Sequence, residues 1–507
     1  MTGVEIELKA GLAPLVAATL ARRLNRLAGP ASAPLKLAAI YFDTADRRLA
    51  QEGIAFRVRR EDGQLVQTVK AGRTQLGGFH QVREVSCRLA TPVPRPDMVA
   101  DPLLRARIQE VAAESPLLPR FETRVSRRLW RVQHANGLVE VALDRGEIRA
   151  GPARDPISEV EFELLGGSPE ALFAVARQLI GNLPADLSIP NKAARGEALA
   201  AGSPRRLKVA ASKPPVPDAG TSGEASWRLA LGSAARAIAA NLALTLSSDQ
   251  PEGPHQLRVA LRRLRAAERM HRPLLAANIS LLIREVAREI GRAVAPLRDS
   301  DVLTAELMAV SDDPALATAL QAANSVARTH ARSELARLQA TSFVIRLIEL
   351  SAIGGWKPEP RREDKPVEAL AARALRKLWA RAAKLGDRLS TLSDEDRHEF
   401  RKTLKKLRYC IEISPVQDSR KPFSSALKKL QEDLGTLNDL SVLEAWQPDA
   451  TDPDDIIAAA KAMLLKAARG RTDLSLGRAC RHWRDLRGEA RPWDADRSPS
   501  RPRSRNR

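Results

Sequence analysis

The sequence predicts two folds in tandem: an α+β closed antiparallel β-tunnel at the N-terminus, then an all-α duplicated helical bundle. Three observations carry this. First, charged and apolar residues alternate strictly in Val4-Glu5-Ile6-Glu7-Leu8-Lys9, in Ile54-Ala55-Phe56-Arg57-Val58-Arg59 and in Ser158-Glu159-Val160-Glu161-Phe162-Glu163-Leu164, which is the period of a β-strand. Second, these strands carry rows of like charge. Like charges facing each other destabilise a sheet, and charged side chains are rarely buried unless paired or metal-bound. A sheet closed on itself, its charged rows turned inward onto a shared polyanion and metal ions, reconciles them. Third, residues 227–485 show no strand pattern, while Ala, Leu and Arg recur there at helical spacing.

The elements follow in order. Leu12 to Leu27 has helical periodicity and stops at Gly29-Pro30. Leu35 to Thr44 is a strand ending in Tyr41-Phe42-Asp43-Thr44. Ile54 to Arg60 and Leu65 to Lys70 form a hairpin around Gly63. Gly77-Gly78 turns into a strand from Phe79 to Leu89, and Pro92, Pro94 and Pro96 mark a loop. Phe121 to Gln133 and Leu138 to Gly146 form a second hairpin about Asn136-Gly137. The glutamate strand and a helix from Pro169 to Ile180 follow, and Asn191-Lys192-Ala193-Ala194-Arg195-Gly196 closes a domain over residues 1–200. Residues 201–226 are rich in Pro, Gly, Ser and Lys and read as a flexible linker. Residues 227–485 make the helical domain, and 486–507 form a basic disordered tail with Arg497, Arg501, Arg503, Arg505 and Arg507.

The chain has 82 Lys and Arg against 61 Asp and Glu, a formal charge of +21. Such a balance favours polyanionic partners. Aromatics are 4%, which weighs against single-stranded nucleic acid, whose bases stack on aromatic rings. Nucleic acid is thus the weaker of the polyanion readings. Cys87, Cys410 and Cys480 build neither a metal spacing nor a disulfide framework, so a reducing compartment is expected. No apolar run of about 18 residues and no signal peptide are expected, which gives a cytoplasmic protein without a transmembrane segment.

The helical stretch carries a repeat. His255-x-x-Arg258-x-x-x-Arg262-Arg263-x-Arg265 recurs as His398-x-x-Arg401-x-x-x-Lys405-Lys406-x-Arg408. Leu297-Arg298-Asp299-Ser300-Asp301-Val302-Leu303 recurs as Leu437-Asn438-Asp439-Leu440-Ser441-Val442-Leu443. On a helix the His and its cations form one stripe beside an apolar one: Leu257, Leu261 and Leu264 in the first copy, Phe400, Leu404 and Leu407 in the second.

Glu-x-Glu-x-Lys at the start, Arg-x-Arg on a later strand and Glu-x-Glu near the domain end resemble the CYTH family, the triphosphate tunnel metalloenzymes. The duplicated His-x-x-Arg pattern resembles the CHAD domain, a conserved-histidine helical domain that binds polyphosphate. In combination the two resemble CYTH–CHAD inorganic triphosphatases of bacteria. The resemblance implies metal-dependent hydrolysis of inorganic triphosphate or short polyphosphate in the tunnel, with polyphosphate held by the helical domain and an association with polyphosphate granules.

Carboxylates suit Mg²⁺ or Mn²⁺, which take hard oxygen ligands. Glu5, Glu7, Glu161 and Glu163 are the expected set, Glu159 shares their face, and Asp144 matches the family pattern. Glu5, Glu7 and Lys9 are the expected catalytic residues. Lys9, Arg57, Arg59, Lys70, Arg127 and Lys192 are expected on phosphate, arginine as a bidentate fork and lysine as a point charge. For any one of these residues a surface ion pair is the ordinary alternative; the set is not explained that way. One departure stands out. As read here, the family pattern is His-Gln-Arg-x-Glu, and this chain has His80-Gln81-Val82-Arg83-Glu84. The one-residue shift turns Arg83 to the outer face, unless a bulge re-aims it.

In the helical domain His255, Arg258, Arg262, Arg265, His398, Arg401, Lys405 and Arg408 are the expected polyphosphate-binding residues; a solvated basic face is the competing reading. No P-loop is present. Relatives of the tunnel fold also include adenylyl cyclases and thiamine-triphosphatases, and a non-catalytic polyphosphate- or nucleic-acid-binding protein is the third alternative.

Overall fold

In the computed structural model, the described residues are 2–61, 63–203, 207–211, 214–358, 363–415, 420–446 and 456–494. Eight strands form the N-terminal barrel: β1 (Thr2–Leu12), β2 (Leu35–Asp43), β3 (Ala55–Glu61), β4 (Gln64–Leu76), β5 (Phe79–Leu89), β6 (Leu118–His134), β7 (Gly137–Ala150) and β8 (Ala153–Gly167). Their order is β5-β4-β3-β2-β6-β7-β8-β1, all antiparallel, and β1 pairs back onto β5. Closure leaves this sheet no free edge between β1 and β5, and the short β9 (Ala185–Asp186) adds to the end of β1. The seam is tight at Gly78, whose carbonyl accepts from Lys9 N at 2.9 Å. A Cβ on Gly78 would stand 2.1 Å from Lys9 O, so only glycine fits there.

The helices around the barrel are α1 (Pro14–Ala28), α2 (Arg48–Gln51), α3 (Pro102–Glu114), α4 (Pro169–Ile180) and α5 (Lys192–Ala200). Strand parity divides the interior. Inward apolar residues Leu37, Tyr41, Phe121, Val125 and Ile148 form one cluster with Leu199 of α5 and fill one end. Inward charged residues line the rest. On the outer face Phe56, Val69 and Val85 pack under Ile108 and Val111 of α3, where each fully buried side chain contributes about 1.5–3 kcal/mol. The sequence reading contained no α3. Its inward stripe is only Ile108 and Val111, and it starts from the side chain of Asp101, which caps Leu103 N and Leu104 N at 3.0 Å.

The remaining helices are α6 (Gly223–Ser247), α7 (Glu252–His271), α8 (Ala277–Ala293), α9 (Ala295–Met308), α10 (Pro314–Arg337), α11 (Ala340–Ala352), α12 (Val367–Gly386), α13 (Asp394–Glu412), α14 (Arg420–Ala445) and α15 (Ile456–Gly488). The apolar stripes of the repeat are core: Leu257, Leu261 and Leu264 of α7 and Phe400, Leu404 and Leu407 of α13 are all buried. One expectation is corrected. Among the described residues α6 is long and apolar enough to cross a membrane by length and composition, but most of its apolar stretch is buried within the protein. Its Ala- and Leu-rich face serves packing.

Two compact units divide the chain. One comprises Met1–Ala210, Ile238–Ser248 and Gln339–Gly354; the other comprises Ala211–Ala237, Asp249–Leu338 and Gly355–Arg507. Helix α11 therefore lies in the helical stretch of the sequence but in the barrel's unit of the fold. It packs on α4: Arg177 pairs with Glu349, Ser342 N donates to Gly181 O at 2.9 Å, and Thr341 Oγ1 donates to Leu183 O at 2.7 Å. The five arginines expected in the basic tail, Arg497 to Arg507, lie outside the described residues.

Candidate functional site

The barrel encloses a cavity of 1080 Å³. Glu5, Glu7 and Lys9 reach it from β1, Arg57 and Arg59 from β3, Lys70 from β4, Arg127 from β6, Asp144 from β7, Glu161 and Glu163 from β8, and Lys192 from the start of α5. Every metal- and phosphate-directed residue expected from the sequence thus opens onto one space.

The deep end is a dense ionic cluster. Arg127 donates a two-pronged bond to Asp144, at 2.8 and 2.7 Å, and contacts Glu161 at 2.5 Å. Lys192 lies 2.8 Å from both Asp144 and Glu161 and also pairs with Glu159. Lys9 bridges Glu7 at 3.1 Å and Glu161 at 3.2 Å. Burial opposes these charges, but the surrounding carboxylates hold the Lys9 and Lys192 ammonium groups above their ordinary pKa. Glu159 shares the inward parity but sits beneath the cavity, fully buried and bonded to Arg195 at 3.3 Å. The ligand atoms of Asp144, Glu159 and Glu161 lie within 4.8 Å of one another, a buried acidic cluster already threaded by lysine and arginine.

Toward the mouth the balance reverses. Glu7 stands opposite Glu163 in the β1–β8 ladder, and Glu163 stands opposite Glu140 in the β7–β8 ladder. Three carboxylates therefore run side by side across three strands. Among the described residues no cation pairs with Glu163, whose pKa is pushed up by burial and by Glu140, Glu7 and Glu161. Glu5 pairs with Lys70, yet burial, with Glu7 and Glu84 adding to it, raises its carboxyl to about 7. Lys70 also reaches Glu84 at 2.8 Å.

Arg57 is held differently. Its Nη1 donates to Tyr41 Oη at 3.3 Å, and the Tyr41 ring stacks on Phe121 at 4.5 Å. Phe121 in turn fills the place of a Cβ on Gly196 of α5, which would stand 2.0 Å from the ring. The glycine in the closing motif thus lets α5 come close enough to seat Phe121, Tyr41 and Arg57 in turn.

Some lining residues escaped the sequence reading. Glu84, Glu140, Tyr41, Glu61 and Arg88 all face the cavity. Parity held the signal for three of them: Glu61 is in phase with Arg59, Glu140 is in phase with Asp144, and Glu84 is out of phase with Arg83. Arg83 itself is half-exposed and pairs with Asp101 at 2.7 Å, away from the tunnel. The register shift in β4–β5 falls between Ala71 and Thr74 and does not re-aim it.

In the helical unit a groove of 570 Å³ is lined by His255, Gln256, Val259, Arg262 and Arg263 of α7, Arg401, Lys405, Arg408 and Tyr409 of α13, Lys428, Gln431 and Glu432 of α14, and Ala211. The two copies of the motif therefore share one space. Glu412 ties them, meeting Arg263 at 3.0 Å and Arg408 at 3.3 Å. Arg258 borders the groove in the field of Arg262 and Tyr409. Arg265 lies instead among Arg269, Arg288 and Glu285, and His398 is exposed and does not line the groove. Among the described residues Arg262 and Lys405 form no ion pair. Burial, then crowding by Arg401, Arg262 and Arg408, pushes the Lys405 ammonium down to about 7. Burial and Arg262 take Arg258 down to about 10. Asp299 and Asp439, the duplicated aspartates, lie within electrostatic reach of each other, Asp299 also of Arg258 and Asp439 also of Arg401 and Lys405.

The comparisons match these two regions. Residues 3–196 match the CYTH domain family and residues 229–447 the CHAD domain family. An inorganic triphosphatase of Haemophilus influenzae is 32% identical over 193 residues, 38% of this chain and 54% of that protein, so the match spans about half the relative's length. Among solved structures, a Hippeastrum protein described as an adenylyl cyclase with a dominant triphosphatase activity is 20% identical, covering 40% of this chain and 99% of its own (TM-score 0.31). The CHAD domain of Ricinus communis is 20% identical, covering 57% of this chain and 98% of its own (TM-score 0.43). The chain thus carries a CYTH domain over residues 3–196 and, after it, a CHAD domain over residues 229–447.

Proposed function

We propose that the barrel hydrolyses the terminal phosphoanhydride of inorganic triphosphate or short polyphosphate with a divalent cation, and that the helical groove binds longer polyphosphate. The observation that carries the first part is the charge of the cavity. Eight carboxylates (Glu5, Glu7, Glu61, Glu84, Glu140, Asp144, Glu161, Glu163) face six cations (Lys9, Arg57, Arg59, Lys70, Arg127, Lys192), with Arg88 apart from them at the rim. A bare polyanion would be repelled by the first group and a bare metal by the second. A metal–phosphate complex suits both.

The residues fit Mg²⁺ or Mn²⁺. The Glu7–Glu163–Glu140 row is an excess of hard oxygen donors with too few cations beside it. Glu5, Glu7 and Glu163 would hold the metal, joined by Asp144 and Glu161 as phosphate draws Arg127 and Lys192 onto itself. Bound there, the metal supplies neutralisation of phosphate charge and a positioned water. The chain's own cations do the remainder. Lys9, Lys70, Arg127 and Lys192 grip the phosphates from the deep end, and Arg57, steadied by Tyr41, presents a fork from the side.

Adenylyl cyclase and thiamine-triphosphatase readings are less well supported. Both substrates carry a ring, and Tyr41, the one aromatic lining residue among those described, is already stacked on Phe121. In the groove Tyr409, the one aromatic lining residue among those described, already has Arg263 and Arg408 near its ring at 5.9 and 5.2 Å, and a single ring is little support for stacking successive bases. Arg262 and Lys405, half-buried and without an ion pair among the described residues, support an anionic partner, and such binding would place the chain on polyphosphate granules. Phosphate release from tripolyphosphate, ATP and thiamine triphosphate, with and without Mg²⁺, tests the reading. Metal-dependent release from tripolyphosphate ahead of the other two is expected; a preference for ATP would overturn it.

A further inference from the structure

Arg88 is a cation the tunnel does not need for a triphosphate. On β5 it lies four residues beyond Glu84 with the same parity, through Ser86, and all three face the cavity. Four residues are about 13 Å along a strand, or about 9–11 Å along a barrel axis at the usual tilt of 35–45°. Across the ladder Arg88 stands opposite Val66, and Val66 stands opposite Arg59. The two arginines thus flank one valine on the inward face.

Their surroundings differ. Arg59 pairs with Glu61 at 2.7 Å. Arg88 forms no ion pair among the described residues and sits exposed at the rim. Its inward neighbours Val66 and Gln64, with Leu35 and Leu129 also lining the cavity, are neither charged nor aromatic, and the carboxylate at this level, Glu61 opposite Gln64, is held by Arg59. A triphosphate seated among Lys9, Lys192, Arg127, Lys70 and Arg57 would end short of this rim, about 9–11 Å along the axis from the level of Glu84, which Lys70 contacts. A longer inorganic chain emerges past it, and each further phosphate is a charge that a guanidinium fork accepts. A nucleoside emerging at the same point meets aliphatic side chains and a cation.

We propose that Arg88 sets chain-length preference: it takes a phosphate beyond the third, so the tunnel's substrate class extends to linear inorganic polyphosphates of four or more units. This rests on the reading of the barrel as a phosphoanhydride hydrolase and adds a specificity-determining residue to it.

The test uses the full chain and steady-state kinetics with Mg²⁺ on tripolyphosphate and tetrapolyphosphate, for the wild type and for Arg88→Ala and Arg88→Lys. Arg88→Ala is expected to lower the ratio of kcat/KM for tetrapolyphosphate to that for tripolyphosphate about ten-fold, through KM rather than kcat. Arg88→Lys, which keeps a point charge, recovers part of it. An unchanged ratio in Arg88→Ala, with tripolyphosphate still cleaved, overturns the proposal and leaves the hydrolase reading standing. Failure of the wild type to cleave either substrate overturns both. A loss that falls on kcat for both substrates alike assigns Arg88 to folding and also overturns the proposal.

Discussion

The two anion sites of this chain are built on opposite plans. In the barrel five of the seven lining cations, Lys9, Arg59, Lys70, Arg127 and Lys192, have a carboxylate within hydrogen-bond distance, as Lys192 has in Asp144, Glu159 and Glu161. In the groove Arg262 and Lys405 have none among the described residues, and their charge is crowded rather than neutralised. A balanced set spends little on being empty and rearranges when a metal–phosphate complex enters. A crowded set of one sign gains most simply from an anion lying on it. The first arrangement suits chemistry, the second suits holding.

The sharpest way to break this contrast is to remove one carboxylate from the barrel. Glu163→Gln keeps the shape and takes a hard ligand from the row with Glu7 and Glu140. Hydrolysis of tripolyphosphate should fall by about 100-fold or more, since even outer-sphere partners of a metal cost 10–100-fold, while the melting temperature holds. Next in size is the loss of two groove cations. Arg262→Ala with Lys405→Ala should weaken long-chain polyphosphate binding and reduce the slope of log affinity against log salt by about 1.4–1.8, at about 0.7–0.9 per phosphate neutralised. An unchanged slope would reassign binding to the general basic surface.

Arg57→Lys comes third. It retains the charge but loses the fork and the bond to Tyr41, and should lower kcat/KM for tripolyphosphate about ten-fold or more. The pH response of the groove is smaller. Lys405 faces Arg262 from α7, Arg401 and Arg408 on its own helix and Asp439 from α14. Its pKa is near 7 in the empty groove, and a bound phosphate raises it, so binding takes up a proton. Affinity should therefore be full below about pH 6 and decline above pH 7, by at most ten-fold per pH unit. Lys405→Arg should flatten the profile between pH 6 and 8. The smallest effect belongs to Arg83→Ala, which should change turnover less than two-fold because Arg83 pairs with Asp101 outside the barrel. A loss as large as that of Arg57→Ala would show that the β5 register is misread.

How much of this was legible depended on how local the cause was. Strand parity is local, so the inward rows of β1, β3 and β8 could be read from alternation alone. Partner choice across the barrel is not. Nothing in Glu-x-Glu shows that Glu161 is clasped by Lys9, Arg127 and Lys192 while Glu163 faces Glu140. Parity also puts Glu84 and Glu140 inward, since Glu84 is out of phase with Arg83 on β5 and Glu140 in phase with Asp144 on β7. The repeat gave the leucine faces of α7 and α13 correctly because packing follows helical period. It overstated symmetry: His255 lines the groove, while His398 is exposed and does not line it. Helix α11 could not be placed, because its contacts with α4 join residues more than 150 positions apart.

The most direct test measures two properties on two variants of the full chain. Tripolyphosphate hydrolysis and long-chain polyphosphate binding are followed in Glu163→Gln and in Arg262→Ala with Lys405→Ala. The predicted result is a crossed pattern: Glu163→Gln loses hydrolysis and keeps binding, and the groove variant loses binding and keeps hydrolysis. Loss of hydrolysis in the groove variant, or full hydrolysis in Glu163→Gln, would contradict the division of labour between a balanced tunnel and a crowded groove.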